Sequence, residues 1–465
     1  MYIAIDRNSP LSIKKQLYNG LTTLILEGTL STGDKLPSTR ALATQLNIAR
    51  NSVIEIYEQL VAEGYAVSKT GQGTYIDDVI MMSKPFDTSE IQKGSSTPLV
   101  DENIISFIPG TPDLGHFPSK MWMSYQKDYF YHLDDNKVGY TEAKGDLLLR
   151  EQLVHYLRRQ KGISCTVDQV FITSGTSGAL NTIAVTLKND YLQLMTESPV
   201  MDFVPKIFNQ YDYDIQPLTV DEQGLITEKL IKTKSLSLIY TAPSHQMPVG
   251  GVLPINRRKE LLDYAIMGNH IIIEDDYDSE FRQFGASINA LKQLDSNSVI
   301  YLGTFSKTLG PGLRIGYMVI PDVLVKKFDQ SYELTYKHVQ TIDQYCLYRM
   351  ISDGRYEKHI YKMNQLYKRK REKLLKVVHQ HIKGEFKVNG SHTGLHISLK
   401  FADYKFNRYD QDQLLKNNLE IELLTDYLVK DDQEDTDTLI IGFGHLSEQT
   451  IEDGVKILAR YLSQK

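Results

Sequence analysis

Gly303-Thr304-Phe305-Ser306-Lys307-Thr308-Leu309-Gly310-Pro311-Gly312-Leu313-Arg314 follows an apolar run at residues 299–302, so Lys307 leaves a strand end with hydroxyls before it and an arginine seven residues on. A lysine in such a place is ordinarily a solvated surface residue. Thr304, Ser306 and Arg314 change that reading, because hydroxyls and a bidentate guanidinium are the donors a phosphate requires. Upstream, a run at 270–273 leads into Glu274-Asp275-Asp276-Tyr277-Asp278, and one at 170–172 into Thr173-Ser174-Gly175-Thr176-Ser177-Gly178, whose amides and hydroxyls at a helix start form an anion nest. With a further run at 236–240, these segments alternate with helical stretches, the pattern of a large α/β fold with a mainly parallel sheet.

The carboxylates at 274–278 allow three readings: a divalent-metal site, a solvated turn, or part of a cofactor site built around Lys307. A buried lysine bonded to an aldehyde cofactor needs a phosphate cradle, a carboxylate for a pyridinium nitrogen and a phenol near the ring oxygen. Asp275 at the carboxyl end of a parallel strand, where open α/β sheets bind ligands, meets the second need and Tyr277 the third. Each segment alone is weak, but the three in this order are specific.

A chain of 465 residues should hold two to four domains at ~100–200 residues each. With 41% hydrophobic and 24% charged residues, it has the material for large cores and is neither collagen-like nor wholly disordered. Two cysteines, Cys165 and Cys346, are too few for a disulfide framework and lack the spacing of a zinc site. The first residues lack the basic start and apolar stretch of a signal peptide, and no run of ~18 apolar residues occurs, so a cytoplasmic protein with no metal is expected. The net charge of −6 excludes a wholly basic coat, yet residues 1–76 hold seven Lys/Arg against six Asp/Glu, which places the acidic excess beyond them.

Those first residues read as a separate module. Leu11, Leu17, Leu21, Leu24 and Ile25 predict one helix over 11–28; Ser38 caps a second over 39–46, closed by Asn47. A third over 50–63 is expected to bury Val53, Ile54, Tyr57, Leu60 and Val61, followed by a hairpin over 65–76 turning near Gly71-Gln72-Gly73. Three helices and a hairpin make a winged helix-turn-helix, for which protein docking is the bland alternative to DNA binding. Arg40 leaves the second helix, and Arg50-Asn51-Ser52 opens the third, the position from which a recognition helix meets the major groove. Ser38 and the glycine-flanked wing at 71–73 are candidates for backbone contact. The expected domains are 1–77, a linker at 78–103 of Ser, Gly, Pro and Thr composition, and 104–465.

Leu-Pro-Ser-x-Arg-x-Leu-Ala at 36–43, Arg-Asn-Ser-Val at 50–53, Glu-Gly-Tyr at 63–65 and Gly-Gln-Gly-Thr-Tyr at 71–75 resemble the GntR-type winged helix of bacterial transcription regulators. Ala49 departs from it, standing where that family more often has a capping serine. The later segments resemble the fold-type I, aminotransferase-like pyridoxal 5′-phosphate (PLP) proteins. That resemblance implies Lys307 as Schiff-base lysine, Asp275 as pyridinium carboxylate, Tyr277 as ring-oxygen phenol, and Ser174, Gly175, Thr176, Thr304, Ser306 and Arg314 as phosphate cup. Tyr140, in Val138-Gly139-Tyr140-Thr141, resembles the tyrosine that reaches the phosphate of a neighbouring subunit, implying a homodimer. Joined by a linker, the two parts resemble the MocR/GabR regulators, implying a homodimer on double-stranded operator repeats that senses PLP itself or an amine through Lys307.

Two positions leave the pattern. Aminotransferases hold the substrate α-carboxylate with an arginine ahead of a C-terminal Leu-Gly-Phe; here the place is Ile440 in Leu439-Ile440-Ile441-Gly442-Phe443. Members that bind γ-aminobutyrate resemble Glu-x-Pro-Gly-Tyr-x-Arg, where this chain reads Glu197-Ser198-Pro199-Val200-Met201-Asp202-Phe203. Losing the partner of a buried carboxylate costs ~3–5 kcal/mol, which disfavours a γ-aminobutyrate sensor, although Arg282, Arg349 and Arg355 are substitutes to be checked. The rival readings are a class I aminotransferase with a winged-helix docking module, and a constitutive DNA binder in which PLP only stabilises the fold. His379–His381 and the histidines at 392 and 396 receive no role.

Overall fold

The computed structural model describes all residues except 1, 2, 4, 8, 10, 78–102, 134–138, 140, 282–288, 336–339 and 431–434. The chain divides into two compact units, Met1–Leu99 and Val100–Lys465. That division falls within the stretch 78–103, of which residues 78–102 lie outside the described ones, as do Tyr140 and Arg282.

In the first unit, helices α1 (Ile13–Leu26), α2 (Thr39–Leu46) and α3 (Arg50–Ala62) precede the strands β1 (Ala66–Lys69) and β2 (Gly73–Ile76). The hairpin is antiparallel, pairing Ala66 with Ile76 and Lys69 with Gly73. Local chemistry sets these boundaries. Ser12 and Ser38 accept the amides of Lys15 and Ala41 at the starts of α1 and α2, and Asn47 ends α2 in the left-handed region at φ 51°. Ala49, by contrast, starts α3 with no side-chain cap. Leu17, Leu21, Leu42, Val53, Ile56, Tyr57 and Leu60 meet in one core. Of the residues expected inward, Leu11 is 50% and Val61 36% exposed, while Ile56 is buried. Leu11 precedes the capping Ser12, and the 53-56-57-60 stripe leaves Val61 on its margin.

Ser38→Ala should destabilise the first unit by about 1 kcal/mol, and Ala49→Ser should stabilise it by a similar amount. Thermal unfolding of the two variants checks this, and equal midpoints would contradict it.

In the second unit an eight-stranded sheet comprises β3 (Val170–Thr173), β4 (Gln193–Ser198), β5 (Asp214–Asp221), β6 (Gly224–Leu225), β7 (Ser237–Thr241), β8 (Ile271–Asp276), β9 (Val299–Thr304) and β10 (Gly316–Val319). The order is β3-β10-β9-β8-β7-β4-β5-β6. The five strands from β9 to β5 run parallel; β10 is antiparallel to both its neighbours, and β6 to β5. The apolar runs read from sequence are these strands, buried on both faces: Ile271 and Ile273 enter one core, with Leu180 and Ile183 of helix Gly175–Leu187, and Ile272 enters the opposite core, with Leu261 and Ala265 of helix Ile255–Gly268. A second, four-stranded sheet is formed by β11 (Phe386–Asn389), β12 (His396–Phe401), β13 (Glu422–Leu423) and β14 (Thr438–Gly442) in the order β11-β12-β14-β13. It shares a core with helices Arg355–His381 and Glu448–Leu462. Among the described residues, no helix is long and apolar enough to cross a membrane.

Candidate functional site

The parallel strands deliver Glu197, Tyr240, Asp275 and Thr304 from their carboxyl ends to one cavity of about 190 Å³. Thr176, Ser177, Tyr277, Ser306, Lys307 and Arg314 line it as well. Residue alternation sorts the carboxylates of β8. Glu274 accepts the amides of Leu291 and Lys292 at 2.9 Å each, and Asp276 accepts Lys161 Nζ at 3.0 Å and Tyr301 Oη at 2.6 Å. Asp275, between them, takes Tyr240 Oη on Oδ2 at 2.6 Å, while its buried Oδ1 has no partner. All three are buried, so the solvated-turn reading fails, and their separate partners argue against a shared metal.

Burial pushes the Asp275 carboxyl up to about 7, against the Tyr240 hydrogen bond; Glu197 and Glu274 are raised to about 7 for the same reason. Burial also lowers the Lys307 ammonium, opposed by Asp278 and Asp275. A lysine so placed sheds its proton more readily, as a nucleophilic amine must. Lys307 Nζ donates to the Gly110 carbonyl. Gly110 has φ +94°, and a Cβ there would stand 2.9 Å from Lys307 Nζ, so both backbone conformation and close approach require glycine.

Thr304 Oγ1 and Ser306 Oγ lie 3.0 Å apart, and Arg314 Nη2 donates to the Ser174 carbonyl at 2.5 Å, joining the turn after β9 to the start of helix Gly175–Leu187. Ser174 and Gly175 stand at that helix start outside the cavity lining, and Ser177 takes a place there that sequence reading did not assign. Tyr277 Oη donates to the His245 carbonyl at 3.0 Å. His245 Nδ1 bonds Asp278 Oδ2 at 2.9 Å, and its ring stacks on His396, centroids 4.7 Å apart. His396 is 2% exposed, lines the cavity and donates Nε2 to the Pro248 carbonyl at 3.1 Å; it belongs to the site, although sequence reading gave it no role. Burial holds it well below the usual histidine range.

Ile440 is fully buried in an apolar cluster with Met247 and Tyr427, packed against Met201 and Tyr277. Arg349 bonds Asp128 and Tyr345 instead, and neither it nor Arg355 lines the cavity.

In the first unit Arg40, Arg50 and Asn51 are exposed, with Arg50 Nε 3.3 Å from Thr39 Oγ1. The first turns of α2 and α3 hold no acidic residue, leaving their positive ends open to phosphate. Gly71 and Gly73, at φ 72° and 113°, flank exposed Gln72 at the wing tip. Lys69 and Lys35 flank this wing, lying 4.8 and 5.6 Å from the Tyr75 ring centroid, two cations that sequence reading did not single out.

Fold and site together define a winged helix joined to a class I and II aminotransferase-type unit. The family of bacterial regulatory proteins named GntR matches residues 13–76, and the class I and II aminotransferases match 103–421. The HTH-type transcriptional regulator YdeL of Bacillus subtilis (strain 168) is 32% identical over 465 residues, 98% of this chain and 97% of the relative. The probable rhizopine catabolism regulatory protein MocR of Rhizobium meliloti is 30% identical, covering 86% and 84%. Among solved structures, the Pyrococcus horikoshii kynurenine aminotransferase in complex with PMP is 27% identical with a TM-score of 0.71, covering 78% of this chain and 92% of that one. The chain belongs to the MocR-type HTH transcriptional regulators, in which a GntR helix-turn-helix domain precedes an aminotransferase-like domain.

Proposed function

We propose that the second unit binds PLP beside Lys307 and that its occupancy sets how the first unit binds DNA. The observation that carries this reading is the unpartnered buried Oδ1 of Asp275 in the cavity that Lys307 lines, an acceptor awaiting a protonated ring nitrogen. The donor set fits the rest of the group: Thr176, Ser177, Thr304, Ser306 and Arg314 would hold the phosphate with the amides at Ser174 and Gly175, and Tyr277 the ring oxygen. When bound, PLP supplies an aldehyde that condenses reversibly with a primary amine. Asp275 would keep the ring nitrogen protonated, Lys307 would offer its amine, and His245 and Asp278 would orient Tyr277. The resemblance adds a homodimer in which Tyr140 reaches the partner's phosphate. Equilibrium dialysis should find one PLP per chain; no retained PLP would refute the reading.

DNA is engaged through Arg40, Arg50, Asn51, Ser52 and the wing at Gly71, Gln72 and Gly73, with Ser38 at the backbone. A ligand shifts this binding only by preferring one DNA-binding geometry over another. Arg50→Ala should weaken DNA binding by ~1–3 kcal/mol if Arg50 reads a base, and reduce the salt slope if it meets a phosphate. Titrations at two salt concentrations test this, and affinity equal to wild type at both would refute it. Sustained turnover of an α-amino acid is disfavoured, because Ile440 stands where aminotransferases hold the carboxylate.

A further inference from the structure

We propose that one wall of the Lys307 cavity is a subsite for the apolar tail of a primary amine that carries no carboxylate, so that α-amino acids are excluded as effectors. The inference rests on the cofactor reading of Lys307 and Asp275 and adds the ligand class. Val200, Met201, Phe203, Met247 and Leu395 line the cavity with carbon and sulfur. Behind Met201 and Met247 lie Ile440 and Tyr427, so this wall is backed by apolar side chains.

A carboxylate entering here needs a cation, since a buried anion is tolerated only when paired and hydrogen-bonded. Among the described residues the lining offers two, Lys307 and Arg314, of which the first is the proposed reactive amine and the second is turned to the Ser174 carbonyl among the phosphate donors. His396 commits Nε2 to the Pro248 carbonyl, and burial disfavours its charged form. Arg371 is buried and donates Nη2 to the Gly394 carbonyl, and although its Nε and Nη1 have no partner it lies over the Phe443 ring and does not line the cavity. Glu197 and Asp275, the carboxyl groups on the same cavity, offer a carboxylate no cation. Such a site leaves a carboxylate unpaired, while Met201, Met247 and Phe203 offer an apolar chain carbon and sulfur to pack on.

The test uses the full chain saturated with PLP, with saturation established by dialysis and absorbance. Calorimetry then compares 2-phenylethylamine with phenylalanine, and pentylamine with norleucine, pairs that differ by the α-carboxylate. The amine should bind at least about tenfold tighter in each pair, and Phe203→Arg, which places a guanidinium at a part-exposed position of the wall, should lower that ratio at least threefold. Amino acids binding as tightly as the amines, or amines not binding at all, would overturn the inference while leaving PLP binding intact. Failure to saturate with PLP would overturn both.

Discussion

Lys307→Ala should release PLP on dialysis and weaken its binding about 100-fold or more, a loss of about 3 kcal/mol. The substitution removes both the amine proposed to bond the aldehyde and the cation that Asp275 and Asp278 stabilise within the cavity. Lys307→Arg separates the two contributions, because arginine keeps the charge without an amine able to condense. It should lose PLP nearly as fully as alanine does. DNA binding by both variants should persist but cease to respond to PLP, as the winged helix carries its own core. Retention of PLP by Lys307→Ala at wild-type affinity would exclude the lysine from this role.

Asp275→Asn is expected to act with opposite signs on stability and on cofactor binding. In the free protein, burial raises Asp275 from 3.8 to about 7, so between those values the folded chain keeps a proton that the unfolded chain has lost. Stability therefore falls as pH rises through that window, by at most about 1.4 kcal/mol per pH unit from this group. Asparagine removes the ionisation, so the PLP-free variant should be more stable than wild type above pH 7, with the gap closing toward pH 4. Its affinity for PLP should fall by roughly 10² to 10⁴, as a pyridinium loses its carboxylate in a buried site at a cost of about 3–5 kcal/mol. Thermal unfolding from pH 4 to 8 and PLP titration read the two effects. A variant that is less stable at every pH, with PLP affinity unchanged, would mark Asp275 as an ordinary structural carboxylate.

What is legible in the sequence is local. Ser38, Asn47 and the wing glycines act within a few residues of themselves, and the boundaries of α2 follow from them. The parallel strands are legible because strands covered on both faces are uninterrupted apolar runs. Stripe edges are not: a period of 3.6 leaves Ile56 and Val61 hard to rank until a partner surface fixes the face. The antiparallel β10, inserted between β3 and β9, escapes sequence reading because its pairing is long-range. The site divides the same way. Lys307, Asp275, Tyr277 and Arg314 stand in short segments whose order is informative, whereas Gly110 meets Lys307 across 197 positions and leaves no local trace. His396 has no sequence signal because a lone histidine on a strand is usually a core residue; only its stacking on His245 and its place in the cavity assign it. The separation of Asp275 from Glu274 and Asp276, by contrast, is implicit in the alternation of β8, since adjacent strand residues face opposite ways.

The proposed control of DNA binding by PLP at Lys307 is tested most directly by recovery and sequencing of genomic DNA fragments bound by the full chain at fixed salt, with and without PLP. A small set of discrete sites whose occupancy changes on adding PLP is the predicted result. No enriched sites, or discrete sites with the same occupancy in both conditions, would contradict it.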